Sequence, residues 1–157
     1  MEKKILISES YEKKNKNKYR RNAHSVGISM WEFEWAPKYR YKIFRKWKYM
    51  KLAEACIRRA ASLWGIKWIE LSVQPDHVQG TAEIPISMSP SQALHKLRGI
   101  SARLLFEKHP KLRMRYPRGH LWSRGKFAAS LGFIQIEVAN EYVRNQDKHH
   151  GTVWIME

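Results

Sequence analysis

Gln74-Pro75-Asp76-His77-Val78-Gln79-Gly80 decides how this chain folds. Pro75-Asp76 is a turn pair between two alternating runs, Lys67 to Gln74 and His77 to Pro85, and predicts a β-hairpin. On its outgoing strand His77 and Gln79 are two apart and leave the same face, while Val78 enters the opposite layer. Near the other end stands Tyr142-Val143-Arg144-Asn145-Gln146. Tyr142 and Gln146 are four apart in a helical pattern, which stacks them on one helix face. Laid across the strand face, that helix brings together an imidazole, two amide oxygens and a phenol. The combination is a candidate divalent-metal site with a nucleophile beside it.

Outward from the hairpin, the other elements follow from periodicity. Ser25 to Ala36 alternates, with Trp31, Phe33 and Trp35 opposite Glu32 and Glu34, and predicts a strand ended by Pro37. Leu52, Ala53, Cys56, Ile57, Ala60, Leu63 and Trp64 repeat at helical spacing, with Gly65 as the C-terminal cap. Cys56 then faces the core as a small inert thiol. Ser89-Pro90-Ser91-Gln92 opens the next helix: Ser89 is the N-cap, Pro90 takes the first turn and Gln92 completes a capping box. Leu94, Leu97, Ile100, Ser101, Leu104 and Leu105 mark its buried face. A basic loop, Lys108 to Arg118, leads to a strand at Leu121 to Ala129, and a last helix is expected over Ile136 to Asp147. The tail shows only a short strand at Thr152 to Ile155. The order β-α-β-β-α-β-α matches the α+β, ferredoxin-like split βαβ arrangement, an antiparallel sheet with helices on one face. The C-terminal helix that carries Tyr142 is left to cross the other face, where His77 and Gln79 point.

Charge narrows the class of partner. The 157 residues suit one domain with a real core. Thirty Lys and Arg against fourteen Asp and Glu leave +16, well beyond what solubility needs. Such an excess implies a polyanion, nucleic acid before an anionic membrane, because the cations are spread over several elements rather than along one amphipathic helix. One Cys excludes an intrachain disulfide framework and fits a reducing cytoplasm. No apolar run approaches the roughly eighteen residues of a membrane span, and the N-terminus is too charged for a signal peptide. The expectation is a cytoplasmic, nucleoid-associated protein with a basic N-terminal arm over residues 1–22, a main domain over 23–148 and a C-terminal tail over 149–157.

Between Lys38 and Lys51, cations interleave with Tyr39, Tyr41, Phe44, Trp47 and Tyr49. Rings on which bases stack, set between charges that meet phosphates, suit single-stranded nucleic acid. The alternative is that the rings are core and the cations merely solvated. Lys38, Arg40, Lys42, Arg98, Arg103, Arg124 and Lys126 are the cations expected to contact DNA.

His77, Gln79 and Gln146 make a mainly oxygen donor set without thiolate, which suits Mg²⁺ or Mn²⁺ better than Zn²⁺. Asp76 is read as fixing the turn, and Glu83, on the same strand face, as pairing with a neighbouring cation. The adjacent His149-His150 are expected to dangle in water. No nucleotide cofactor is expected: Gly119 to Lys126 falls short of a P-loop by its five intervening residues and by Phe127 where Ser or Thr is required.

These residues also resemble a family. A hydrophobic residue between two polar ligands, followed by a Tyr-x-x-x-Gln helix, looks like the HUH endonuclease superfamily. Within it the likeness is to the single-tyrosine transposases of the smallest bacterial and archaeal insertion sequences. Lys38-Tyr39-Arg40, Pro75-Asp76-His77-Val78, Leu97 to Phe106, Leu121-Trp122-Ser123-Arg124-Gly125-Lys126-Phe127 and Tyr142 to Gln146 carry the resemblance, in order, over roughly residues 24 to 147. The chain departs from the pattern at Gln79, where that family usually has a second His. The resemblance implies the same fold and a metal-dependent enzyme in which Tyr142 attacks a phosphodiester of single-stranded DNA. It implies a 5′-phosphotyrosine, a free 3′-hydroxyl, recognition of hairpins near element ends, and a homodimer in which the tyrosine helix of one subunit can complete the site of the other. A non-catalytic nucleic-acid-binding domain, an inactivated transposase and a replication-initiator nuclease of the same superfamily are the competing readings.

Overall fold

The computed structural model describes residues 20, 21 and 26–156. Arg20–Arg21 (β1) pairs antiparallel with Val26–Gly27 (β2). The remainder of the expected basic arm lies outside the described residues. The chain continues through β3 (Met30–Pro37), α1 (Trp47–Leu63), β4 (Lys67–Gln74), β5 (His77–Glu83), α2 (Pro90–Lys108), α3 (Leu112–Arg115), β6 (Trp122–Ser130), α4 (Phe133–Arg144) and α5 (Gln146–His150).

Four strands form one antiparallel sheet in the order β4-β5-β3-β6. The predicted hairpin is present with its turn at Pro75-Asp76, and Gln74 pairs with His77. Helices α1 and α2 pack together on one face, and α4 lies against β4 and β5 on the other. The α+β split βαβ arrangement is therefore the observed one.

The first face is dry. Phe33, Trp35, Val78 and Ala82 point into it and are buried with Ala53, Ile57, Ala60, Leu94, Leu97 and Leu105 from the two helices. Trp35 lies at the centre of an aromatic cluster, 6.2 Å from Trp68 and 5.8 Å from Trp122 between ring centroids. Gly80 is required beneath the irregularity between Trp68 and Glu70 in β4. A Cβ there would lie 2.5 Å from the Trp68 ring and 2.7 Å from the Glu70 carbonyl oxygen.

The caps read from sequence are in place. Ser89 and Gln92 exchange both capping-box bonds at the start of α2, and Gly65 follows α1 with φ +67°. Several boundaries differ. The first sheet strand begins at Met30, and α1 starts at Trp47 rather than Leu52, because Trp47 and Met50 extend its apolar stripe. The basic loop contains α3. The last helix is two: it begins at Phe133 and breaks at Asn145, whose φ −97° and ψ 20° leave the helical region.

Candidate functional site

The site lies on the second, polar face of the sheet. Successive inward positions of β5 carry His77, Gln79, Thr81 and Glu83, all buried. Strand alternation dictates this, because the residues between them serve the apolar core. Helix α4 covers them with Ala139, Asn140 and Val143, and Thr81 hydrogen-bonds to Asn140 across the interface. Arg144 pairs with Glu70 on β4 at 2.7 Å, which helps to set where the helix crosses.

His77 is held from both sides. Its Nδ1 is 2.9 Å from the Asp76 carboxylate and its Nε2 is 3.3 Å from Gln146 Oε1. A carboxylate accepts, so Nδ1 donates to Asp76, and Nε2 is left facing the amide oxygen. Gln146 Nε2 in turn donates to the Tyr142 carbonyl at 3.4 Å, which orients Oε1 towards the imidazole. Nε2 and Oε1 thus converge in a buried place, where a proton on Nε2 or a cation between the two atoms satisfies both. Ligands at about 2.1 Å from an octahedral ion, at right angles, lie about 3.0 Å apart, close to this separation. The donor set thus fits a small divalent ion, with Asp76 fixing the tautomer from behind.

Gln79 is on the same face, but its Nε2 donates to Glu32 at 2.9 Å, which commits the nitrogen and leaves Oε1 as its acceptor atom. Asp76 does more than shape the turn. It orients His77 and also meets Arg40 at 3.4 Å. Burial alone would raise its carboxyl pKa, but the hydrogen bond and charge of His77, with Arg40, hold it below the usual carboxylate range.

The break at Asn145 separates what the four-residue spacing joins. Gln146 is fully buried, whereas Tyr142 is 44% exposed, so the two do not share one helix face. The Tyr142 ring stacks instead on His149, with centroids 4.9 Å apart, and His150 packs edge-on to His77 at 5.0 Å. The two tail histidines are exposed, as expected, but do not hang free: α5 folds back over the hairpin end and sets their rings against the site. Their signal in sequence is their distance from Gln146: three and four residues place them one turn on. Among the described residues no three of His, Cys, Asp and Glu form a cluster able to hold a metal by themselves.

The expected DNA-contacting cations divide. Lys38, Arg40, Lys42, Arg124 and Lys126 ring the end of the sheet nearest His77, in adjoining grooves. Lys42 and Arg45 line the one that opens onto His77 and His150. Arg98 is not free on the surface. It is half-buried between α2 and β6, donates to the Ser123 carbonyl at 2.8 Å, and its pKa is lowered by burial. Arg103 lies exposed on α2, lining a third groove with Arg98 and Arg124. Of the rings between Lys38 and Lys51, Phe44 is core, while Tyr39 and Tyr41 are exposed.

A sequence profile of the family described as "Transposase IS200 like" matches residues 25–146. The transposase for insertion sequence element IS200 of Salmonella typhimurium is 26% identical over 124 residues, covering 79% of this chain and 80% of the relative. Its counterpart in Salmonella typhi matches to the same extent. A crystal structure of a Deinococcus radiodurans protein, provisionally assigned as a transposase, superposes with TM-score 0.64 at 23% identity, covering 81% of this chain and 97% of that one. The REP-associated tyrosine transposase bound to a REP hairpin gives TM-score 0.59 at 11% identity, covering 85% and 75%. At such identities these two structures speak for the fold.

Proposed function

This chain belongs to the IS200-like transposase family, and we propose that it cuts and rejoins single-stranded DNA at insertion-sequence ends, with Tyr142 as nucleophile. His77, Gln79 and Gln146 would hold a divalent cation, Mg²⁺ or Mn²⁺. The observation that carries this reading is the convergence of His77 Nε2 and Gln146 Oε1, 3.3 Å apart and buried.

The chemistry divides between the residues. The Tyr142 oxygen attacks phosphorus and the P–O3′ bond breaks, leaving a 5′-phosphotyrosine; the phenol proton passes through solvent to the released 3′-oxygen. The cation, when bound, supplies Lewis-acid polarisation of the phosphate's non-bridging oxygens. Helix α4 supplies proximity, since a held nucleophile replaces an encounter. The phosphotyrosine conserves the phosphodiester's bond energy, so attack by a 3′-hydroxyl reverses the step without a nucleotide cofactor. The exposure of Tyr142 supports access to a strand lying along the surface. Lys42 and Arg45, in the groove beside His77, are placed to meet its phosphates.

A hairpin is the DNA partner we infer, since a relative in fold is bound to one. The homodimer rests on the family likeness. Helix α4 covers the sheet of its own chain here, and a partner's helix would occupy the same surface after exchange. No described helix is long and apolar enough to cross a membrane.

The test uses single-stranded oligonucleotides carrying candidate element ends, with and without Mg²⁺ or Mn²⁺. A metal-dependent protein–DNA band resistant to denaturation is expected, absent from Tyr142→Phe and from metal-free controls. Retention of DNA without that band on every substrate would reduce the protein to a binding module or an inactivated enzyme. A band surviving Tyr142→Phe would assign the nucleophile elsewhere.

A further inference from the structure

Beside the candidate metal site runs a groove of about 420 Å³, lined by Glu34, Tyr39, Arg40, Ser123, Lys126 and Phe127 among others. Its two rings are costly to display: Tyr39 is 66% and Phe127 50% exposed. Tyr39 also has φ +65° and Arg40 φ +53°, a left-handed conformation that is strained for a non-glycine residue. The ring so presented is not loose. It rests on Tyr41 at 5.4 Å, which rests on Tyr116 at 5.9 Å, and the Tyr116 hydroxyl donates to the Lys38 carbonyl at 2.9 Å. Burial pushes the Tyr116 phenol up to about 12, so it remains a donor throughout the useful pH range.

Glu34 is the anomaly. It has no hydrogen bond or ion pair among the described residues, in a chain of net charge +16. The cations lining the same groove are engaged elsewhere: Arg40 pairs with Asp76 and Lys126 reaches Ser91. A carboxylate with no partner among the described residues would repel a phosphate, so the groove floor is unsuited to the backbone. It suits the edge of a base, where an amino group donates to a carboxylate, while the two rings supply stacking faces.

We propose that this groove is a pocket for one unpaired nucleobase, with Glu34 selecting a base that offers an amino group (guanine, adenine or cytosine) over thymine. Thymine sets two carbonyls around its single N–H and meets the carboxylate unfavourably. Glu34 pairs in register with Gln79, and Arg40 joins the groove to Asp76. The base it holds therefore neighbours the phosphate at His77, which rests on the function proposed above.

The test is equilibrium binding of labelled oligo(dA), oligo(dC) and oligo(dT) to the full-length protein in EDTA, where no cleavage enters. Oligo(dA) and oligo(dC) should bind about 10-fold more tightly than oligo(dT), as expected of one base-edge contact. Glu34→Ala should bring the three to within about 2-fold without weakening oligo(dT). Tyr39→Ala and Phe127→Ala should each weaken all three by about 5- to 100-fold, the loss expected of one stacking partner. Should Glu34→Ala melt early, Glu34→Gln serves in its place and should narrow the preference. Equal binding by the wild type, or a preference that survives both Glu34 variants, would overturn the pocket. Because the readout needs neither metal nor phosphotyrosine, loss of the pocket leaves the cleavage reading standing, and loss of cleavage leaves the pocket.

Discussion

The two faces of β5 spend the same amount of burial on different ends. All seven residues from His77 to Glu83 are buried, yet Val78, Gly80 and Ala82 face the apolar layer of α1, α2 and the aromatic cluster. The alternate residues meet carboxylates, amides and a hydroxyl beneath α4. Apolar burial is non-directional and tolerates some repacking. The polar face holds only while each donor finds its acceptor, since an orphaned buried group costs about 1–3 kcal/mol. The comparison teaches where to look for function: the face that trades cheap packing for aimed hydrogen bonds, and that brings His77 Nε2 and Gln146 Oε1 together at its end, is where a site is to be sought.

Substitutions can be ranked against that contrast. The largest effect is expected on the dry face. Gly80→Val drives a side chain into the Trp68 ring and the Glu70 carbonyl, and should destabilise the fold by about 3 kcal/mol or more, read as a shifted denaturant midpoint. A midpoint within error of wild type would show that β4 yields and that this face is less rigid than drawn. One position before His77, Asp76→Asn should do the reverse. Losing the carboxylate that fixes the imidazole should slow phosphotyrosine formation about 10- to 100-fold and move the melting temperature little. Equal loss of both would make Asp76 a fold residue only. The smallest effect is in pH. The folded Asp76 pKa lies below its ordinary 3.8, so its contribution is present above that value and is lost as pH falls through the folded pKa. The stability gap between wild type and Asp76→Asn, less than about 1 kcal/mol with the carboxylate partly open to solvent, should close on acidification below about pH 4. A gap that widens there would reverse the assigned cause.

Much of this was legible in the chain. Alternation at Trp31 to Trp35, the Pro75-Asp76 turn and the Ser89 capping box are local signals, and local signals specify strands, turns and caps. The pairing of His77 with Gln146 followed from placing a helix over a strand face. What was not legible depended on one backbone turn. Asn145 carries no proline or glycine to announce a break, so the spacing from Tyr142 to Gln146 read as a shared helix face. The same turn sets His149 and His150, both exposed, against the rings of Tyr142 and His77. Asp76 was hidden by its own turn propensity, which explains an aspartate at that position without invoking the imidazole beside it. Arg98 shows the remaining limit, because a helical position gives the direction of a guanidinium but not the strand carbonyl it finds.

The last described stretch of chain returns to the start of α1. Ile155 bridges to Lys46 in parallel, Trp154 meets Trp47 edge to face at 5.8 Å, and Gln74 and Thr152 close a ring of hydrogen bonds with Asp147. Two indoles locked at such an angle form a natural optical gauge. The difference in near-ultraviolet dichroism between wild type and Trp154→Phe isolates that pair from the other five tryptophans and will report whether the tail is docked or has swung away, without any dye.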